Sequence, residues 1–192
     1  MSISPERRTV AKTILDGFQG TPRVFAFQDE KQKISIDLLA CGDQPQQDVT
    51  SYATIGLFEH SIGYEMDGKD LRLELFGVCQ SSVDVFANML VTSAFHMIQS
   101  GEIASYGAVF KDNVKMYLPE SKMKHILFLP PSAWTHVFEA LELGNRMVAW
   151  LQAVPISEAE YQFLLSHEVE ELEALFEEKR IDLSDLQRNS VV

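Results

Sequence analysis

The chain has 192 residues, 46% of them hydrophobic and 23% charged, which suits one ordinary globular domain that buries a core without disulfide or metal support. Sixteen basic against 28 acidic residues leave a net charge of -12, a field that opposes binding to nucleic-acid phosphates or anionic membranes and favours encounter with a basic protein. The opening MSISPERRTV has no apolar signal core and no run reaches 18 apolar residues, so a cytoplasmic protein is expected.

Ser4 as N-cap and Pro5 at the first helical position open a helix with Val10, Ala11, Ile14 and Phe18 on one face and Gly20 as its stop. It is expected to pack on a sheet. Residues 23–27 and 33–39 read as a hairpin across a polar turn, and residues 42–48 as a loop. Strands follow at 50–57 and 71–78, the second preceded by an Asp67-Gly68 turn. Residues 84–100 carry the strongest helical pattern, with Phe86, Leu90, Ala94 and Met97 in register, Ser81 and Asp84 as a capping box, and Gly101 as terminator. Val85, Met89, Val91 and Phe95 make this helix apolar nearly all round, which predicts burial between layers.

Further strands are predicted at 114–118, 125–129, 137–141 and 147–154, divided by a turn at 120–124, by Pro130-Pro131 and by Gly144-Asn145. Ser157 and Glu160 then form an S-x-x-E capping box with Ile156 and Tyr161 at the staple positions. The helix they open, or two helices broken near His167, runs to about Arg180 with Leu164, Val169, Leu172 and Phe176 available for an apolar stripe. The expected fold is α+β: a single domain over 1–192 with a mixed, mainly antiparallel sheet packed with helices.

Motifs that carry chemistry are scarce. There is no G-x-G-x-x-G, no G-x-x-x-x-G-K-[ST], no H-E-x-x-H and no G-x-S-x-G, so no cofactor, metal or catalytic residue is expected. His60, His96, His125, His136 and His167 are scattered, and Ser81 is accounted for as an N-cap. Cys41 and Cys79 lie in strand-like apolar runs without a C-x-x-C and read as reduced core thiols. Asp182 and Asp185 are a close acidic pair, but spacing alone raises neither pKa.

Charge placement is the one departure from background. Between Ser157 and Asp185 ten acidic residues face only Lys179 and Arg180, a net of -8. Such a segment is either the solvated face of an amphipathic helix or a docking surface for a basic partner. In the second reading Glu168, Glu170, Glu171, Glu173, Glu177 and Glu178 make the contact.

Four stretches carry a resemblance: VTSYATIGLFEHSI (49–62), RLELFGVC (72–79), ILFLPPSAW (126–134) and the ending PISEAEYQFL...IDLSDLQRNSVV. In order and spacing they resemble the suppressor-of-fused domain, and the opening MSISPE with its helix and the total length resemble the YqcF-like bacterial antitoxins of that family. The resemblance implies an immunity protein that binds a cognate LXG-type toxin at its nuclease C-terminal domain, in the cytoplasm and without chemistry of its own. It also departs from the animal suppressor of fused, which holds a transcription-factor peptide between two domains; only the first is matched here, so that ligand does not carry over. Trp134, after the Pro130-Pro131 bend, is expected to be packed. Two other classes stay open: a non-catalytic adaptor that binds a peptide by edge-strand addition, and an uncatalogued hydrolase using Ser, His and acidic residues.

Overall fold

The structure, a computed structural model, describes residues 3–29, 33–101, 104–131 and 138–192. Helix α1 (Pro5–Phe18) begins as its sequence requires: Ser4 Oγ accepts the Arg7 N–H at 3.1 Å, and Pro5 occupies the first turn, where its missing N–H costs nothing. Strands β1 (Pro22–Gln28) and β2 (Ser35–Gly42) form the expected antiparallel hairpin. β3 (Val49–Ile55), β4 (Glu65–Met66) and β5 (Lys69–Gln80) follow, the last two joined by Asp67 and Gly68, both at positive φ as a tight hairpin turn demands. Next come α2 (Phe86–Ser100), β6 (Val109–Phe110), α3 (Asn113–Tyr117) and β7 (Met123–Leu129). The chain finishes with β8 (Leu141–Leu143), β9 (Arg146–Ser157), α4 (Glu158–Leu164) and α5 (Val169–Glu178).

The strands form one sheet in the order β1-β2-β3-β5-β9-β7-β6, with β4 added to β5 and β8 to β9. All pairings are antiparallel except β5–β9, so the sheet is mixed and mainly antiparallel, as the sequence predicts. Both faces are covered. Ile36, Leu38, Leu75, Ile126, Phe128 and Leu151 point to one face and join Phe86, Leu90 and Met97 of α2 and Val114 of α3 in a single core. The alternate residues Leu39, Ala53, Ile55, Phe76 and Trp150 meet Val10, Ile14 and Phe18 of α1 on the other face. At the far end of that second face, Leu127, Leu129, Val154 and Ile156 of β7 and β9 are capped by Leu172 and Phe176 of α5. α1 therefore covers one end of the sheet and α5 the other.

Several expectations are corrected. The first helix is stopped by Gln19 in the left-handed conformation; Gly20 serves close approach instead, since a Cβ there would lie 2.9 Å from the Cys41 Cβ. The strand from Val49 ends at Ile55, because Gly56 at φ +117° turns the chain into a 3-10 turn over Leu57–Glu59. Ser81 and Asp84 form no capping box. α2 starts at Phe86 with Val85 before it and no side-chain cap, while the Ser81 hydroxyl meets Thr50 Oγ1 at 2.8 Å.

α2 lies in an outer layer with His96 and Gln99 exposed, not between layers; of its additional apolar residues Met89 and Val91 are buried, whereas Val85 and Phe95 are covered only in part. Residues 114–118, predicted as a strand, fall mostly in α3. A left-handed Asp112 turns the backbone by donating its N–H to His125 Nδ1. The strand predicted at 137–141 is β8, starting at Leu141; Val137, Trp134 and His136 lie outside the described residues.

Candidate functional site

The acidic segment folds into α4, a break at residues 165–168, and α5. The capping box is present: Ser157 Oγ accepts the Glu160 N–H at 3.1 Å, and Glu160 Oε2 accepts the Ser157 N–H at 2.8 Å. Glu160 does not belong to the acidic surface. It is fully buried and grips Arg188 through two hydrogen bonds, Nη1 to Oε1 at 2.6 Å and Nη2 to Oε2 at 2.9 Å. Its Oε1 also accepts the Val191 N–H at 3.1 Å, while Arg188 Nη2 donates to the Pro155 carbonyl at 3.0 Å and the guanidinium lies over the Phe176 ring. The bidentate geometry and these further bonds let two charges tolerate burial, although among the described residues the Arg188 Nε–H finds no hydrogen-bond partner. It clamps the last residues of the chain to α4, α5 and β9.

The six residues singled out on α5 and its cap divide by role. Glu168, Glu170, Glu171, Glu177 and Glu178 are exposed and Glu173 is half-buried, together filling the face opposite Leu172 and Phe176. Glu171 Oε1 accepts the Glu168 N–H at 3.1 Å, so these two cap the helix, and acidic groups in a first turn also oppose the helix dipole. Glu173 accepts the Tyr106 hydroxyl at 2.5 Å and ties the helix to the loop before β6. Among the described residues Glu177 and Glu178 make no side-chain hydrogen bond or ion pair. Of the two nearby cations, Lys179 is diverted, because its Nζ donates to the Val191 carbonyl, and Arg180 makes no ion pair with these carboxylates among the described residues. The outward face of α5 is thus left with uncompensated negative charge.

A second buried carboxylate holds the other side of the molecule. Glu74 is fully buried in β5, where its Oε1 accepts the N–H groups of Gly56 at 2.7 Å and Phe58 at 3.2 Å, and its Oε2 accepts the Thr54 hydroxyl at 2.5 Å. Burial pushes its pKa up to about 7, although those three donors and the Arg7 charge pull the other way. Arg7 lies over this turn, bonding Glu59, Asp37 and the Ser35 carbonyl, and a Cβ on Gly56 would come within 2.7 Å of its guanidinium. The stretch 49–62 is therefore shaped around an internal salt-bridge and hydrogen-bond network.

Among the described residues, the groups available for acid-base or nucleophilic work are occupied or apart. His125 is buried, with Nδ1 accepting from the Asp112 N–H at 2.9 Å and Nε2–H donating to Glu158 Oε2 at 3.0 Å, so neither nitrogen is open to a substrate. Gln162 and His125 in turn hold Glu158 below the usual carboxylate range. The hollow beside Ser81 contains Asp48 and Asp182 but no histidine or lysine among its described lining residues. Cys41 and Cys79 are free and buried on opposite faces of the sheet, and burial raises both thiols, Cys79 to about 12, which removes thiolate reactivity. Among the described residues no three His, Cys, Asp or Glu side chains gather as a metal-holding group, and no helix is long and apolar enough to cross a membrane.

Sequence reasoning located the acidic face but missed the two buried carboxylates. Glu74 stands between Leu73 and Leu75 in a strand covered on both faces, a signal for a buried acid; nothing in the spacing pairs Glu160 with Arg188, 28 positions away.

The family model described as "Suppressor of fused protein (SUFU)" matches residues 32–189. Immunity protein YqcF of Bacillus subtilis (strain 168) is 43% identical over 192 residues, covering all of both chains. The crystal structure of a putative SUFU homolog from Neisseria gonorrhoeae FA 1090 superposes with a TM-score of 0.74 at 19% identity, over 97% of this chain and 96% of that one. A chain of the Sufu-Fu complex crystal structure gives a TM-score of 0.67 at 14% identity, over 97% of this chain and 92% of that one. At those identities the two structures bear on the fold alone.

Proposed function

We propose, from the premise that this chain belongs to the suppressor of fused protein family, that it is an immunity protein which binds and neutralises a cognate toxin. The observation that carries this reading is the 43% identity with Immunity protein YqcF along the full length of both chains. The target in this reading is the basic nuclease domain of an LXG-type toxin, met in the cytoplasm, with residues 1–192 acting as one unit. Neutralisation is by occupancy. A nuclease surface that holds phosphates is positive, and an acidic protein competes for it through complementary charge without any cofactor or covalent step.

The exposed carboxylates of α5 are the contact we assign, with Glu177 and Glu178 at its centre because the fold itself makes no use of them. Mixing the protein with the toxin's nuclease domain is expected to give a one-to-one complex and loss of nuclease activity. A toxin still active in a saturated complex refutes the function. Reversing Glu177 and Glu178 to Lys is expected to slow association by roughly tenfold, a rate effect of the kind that charge steering produces. Unchanged association rates would return α5 to a solvated face and leave the immunity role to another surface.

A further inference from the structure

The strand at the β1 edge of the sheet is open along its whole length. Among the described residues β1 pairs only with β2, in an unbroken register of seven residues, and every residue from Pro22 to Ala26 is exposed, with Val24 58% and Phe25 43% accessible. The opposite edge ends in the two-residue β6. Little described blunts β1: it has no bulge, Arg23 is its one charged residue, and its proline stands only at the first position.

Its hydrogen-bonding parity follows from the hairpin. The Asp29 N–H donates to the Ile34 carbonyl at 3.0 Å in the same register that sets Phe27 opposite Ile36 and Phe25 opposite Leu38. Odd-numbered residues therefore bond to β2, and the N–H and C=O groups of Val24, Ala26 and Gln28, with the C=O of Pro22, point outward.

Charge says which partner suits this edge. The first 37 residues, which hold α1, β1 and the start of β2, carry six basic against five acidic residues, so the remaining 155 carry -13 of the chain's -12. Two copies repel wherever their acidic ends approach. At β1 they do not, since Arg23 is the strand's one charged residue.

We infer that β1 pairs antiparallel with the β1 of a second copy about a two-fold axis at Phe25. That register sets Val24 opposite Ala26 and Pro22 opposite Gln28 as bonded pairs, using each outward donor of the strand; the one missing N–H belongs to Pro22, at the end of the ladder. Phe25 meets Phe25 of the other copy at the closely spaced non-bonded position, and Arg23 meets Phe27, a cation beside an aromatic ring with no like charge opposed. With strands about 4.8 Å apart, the two β7 strands under the acidic helices lie roughly 50 Å from each other across the joined sheet, well beyond the Debye length of about 8 Å. Both acidic faces then remain outward and unshared.

Sedimentation velocity of the full chain over about a hundredfold range of concentration tests this, because a dimer equilibrium shifts with mass action. The mass is expected to rise toward twice 21.7 kDa. Ala26→Pro removes an N–H that bonds to nothing within the chain and leaves the β1–β2 ladder intact, so it is expected to weaken the dimer by about tenfold or more while circular dichroism is unchanged. Val24→Lys, at an exposed position, is expected to do the same without a backbone change. A wild-type chain monomeric throughout, or a dimer indifferent to both variants, overturns the proposal. So does a monomeric wild type whose toxin binding is lost in Ala26→Pro, which would give the edge to a foreign strand.

Discussion

Two carboxylates with similar burial are held by different kinds of partner. Glu160 is matched by a guanidinium, whereas Glu74 is met by neutral donors and titrates near neutrality. For Glu74 the folded pKa of about 7 stands above the usual 4.5, so between those values the folded state binds more protons than the unfolded chain and its contribution to stability falls as pH rises. Glu74→Gln is expected to remove that slope, about 1.4 kcal/mol per pH unit at most. Urea denaturation of both proteins from acid to neutral pH checks it: the difference between them changes within that window and is flat on either side. Arg188→Ala leaves Glu160 charged and unpaired in the interior and is expected to destabilise by about 3–5 kcal/mol, while the double variant Glu160→Gln with Arg188→Met recovers part of the loss. Equal losses in the single and double variants, measured in urea, would contradict a coupled pair.

At the scale of elements, contact between α2 and the sheet depends on one absent side chain. Gly77 in β5 faces the Phe86 ring so closely that a Cβ would sit 2.9 Å from Phe86 Cζ and 3.1 Å from the Ala153 carbonyl. Gly77→Ala is expected to cost about 1–3 kcal/mol through overpacking, and Phe86→Leu in the same chain to relieve part of it, read from the urea midpoint. α5 shows the converse, an element whose inner face is structural and whose outer face is not. Leu172 and Phe176 are buried, Glu168 and Glu171 cap, Glu173 holds Tyr106, and Glu177 and Glu178 only face water. Lys at 177 and 178 is therefore expected to leave stability within about 0.5 kcal/mol of wild type, which separates its effect on association from any effect on folding.

The whole molecule is polarised. α1 and β1, near neutrality, stand at one end of the sheet, and α5 with its uncompensated carboxylates stands over β7 and β9 at the other. A basic partner approaching in solution is steered toward the acidic end, so the association rate with the toxin domain is expected to fall steeply as salt is raised while the dissociation rate changes little. Stopped-flow binding at several ionic strengths measures it, and a rate insensitive to salt would contradict charge-guided docking.

What the sequence determined by itself was much of what is encoded within a few neighbouring residues, although the equally local box expected at Ser81 and Asp84 did not form. The cap at Ser4, the capping box at Ser157 and Glu160, the Asp67-Gly68 turn and the long apolar alternations all act over one or two turns of chain, and each stands as predicted. The density of acid after Ser157 was equally plain. Tertiary structure decided what depends on partners distant in sequence. It moved Glu160 from the acidic surface into the core through Arg188, and built Glu74 into the turn at Gly56. It bent residues 114–118 into a helix beside His125, and set the parallel β5–β9 pair that brings the two ends of the chain into one sheet. A carboxylate reads the same in sequence whether it faces water or a guanidinium, since its burial is set by what the fold carries to it.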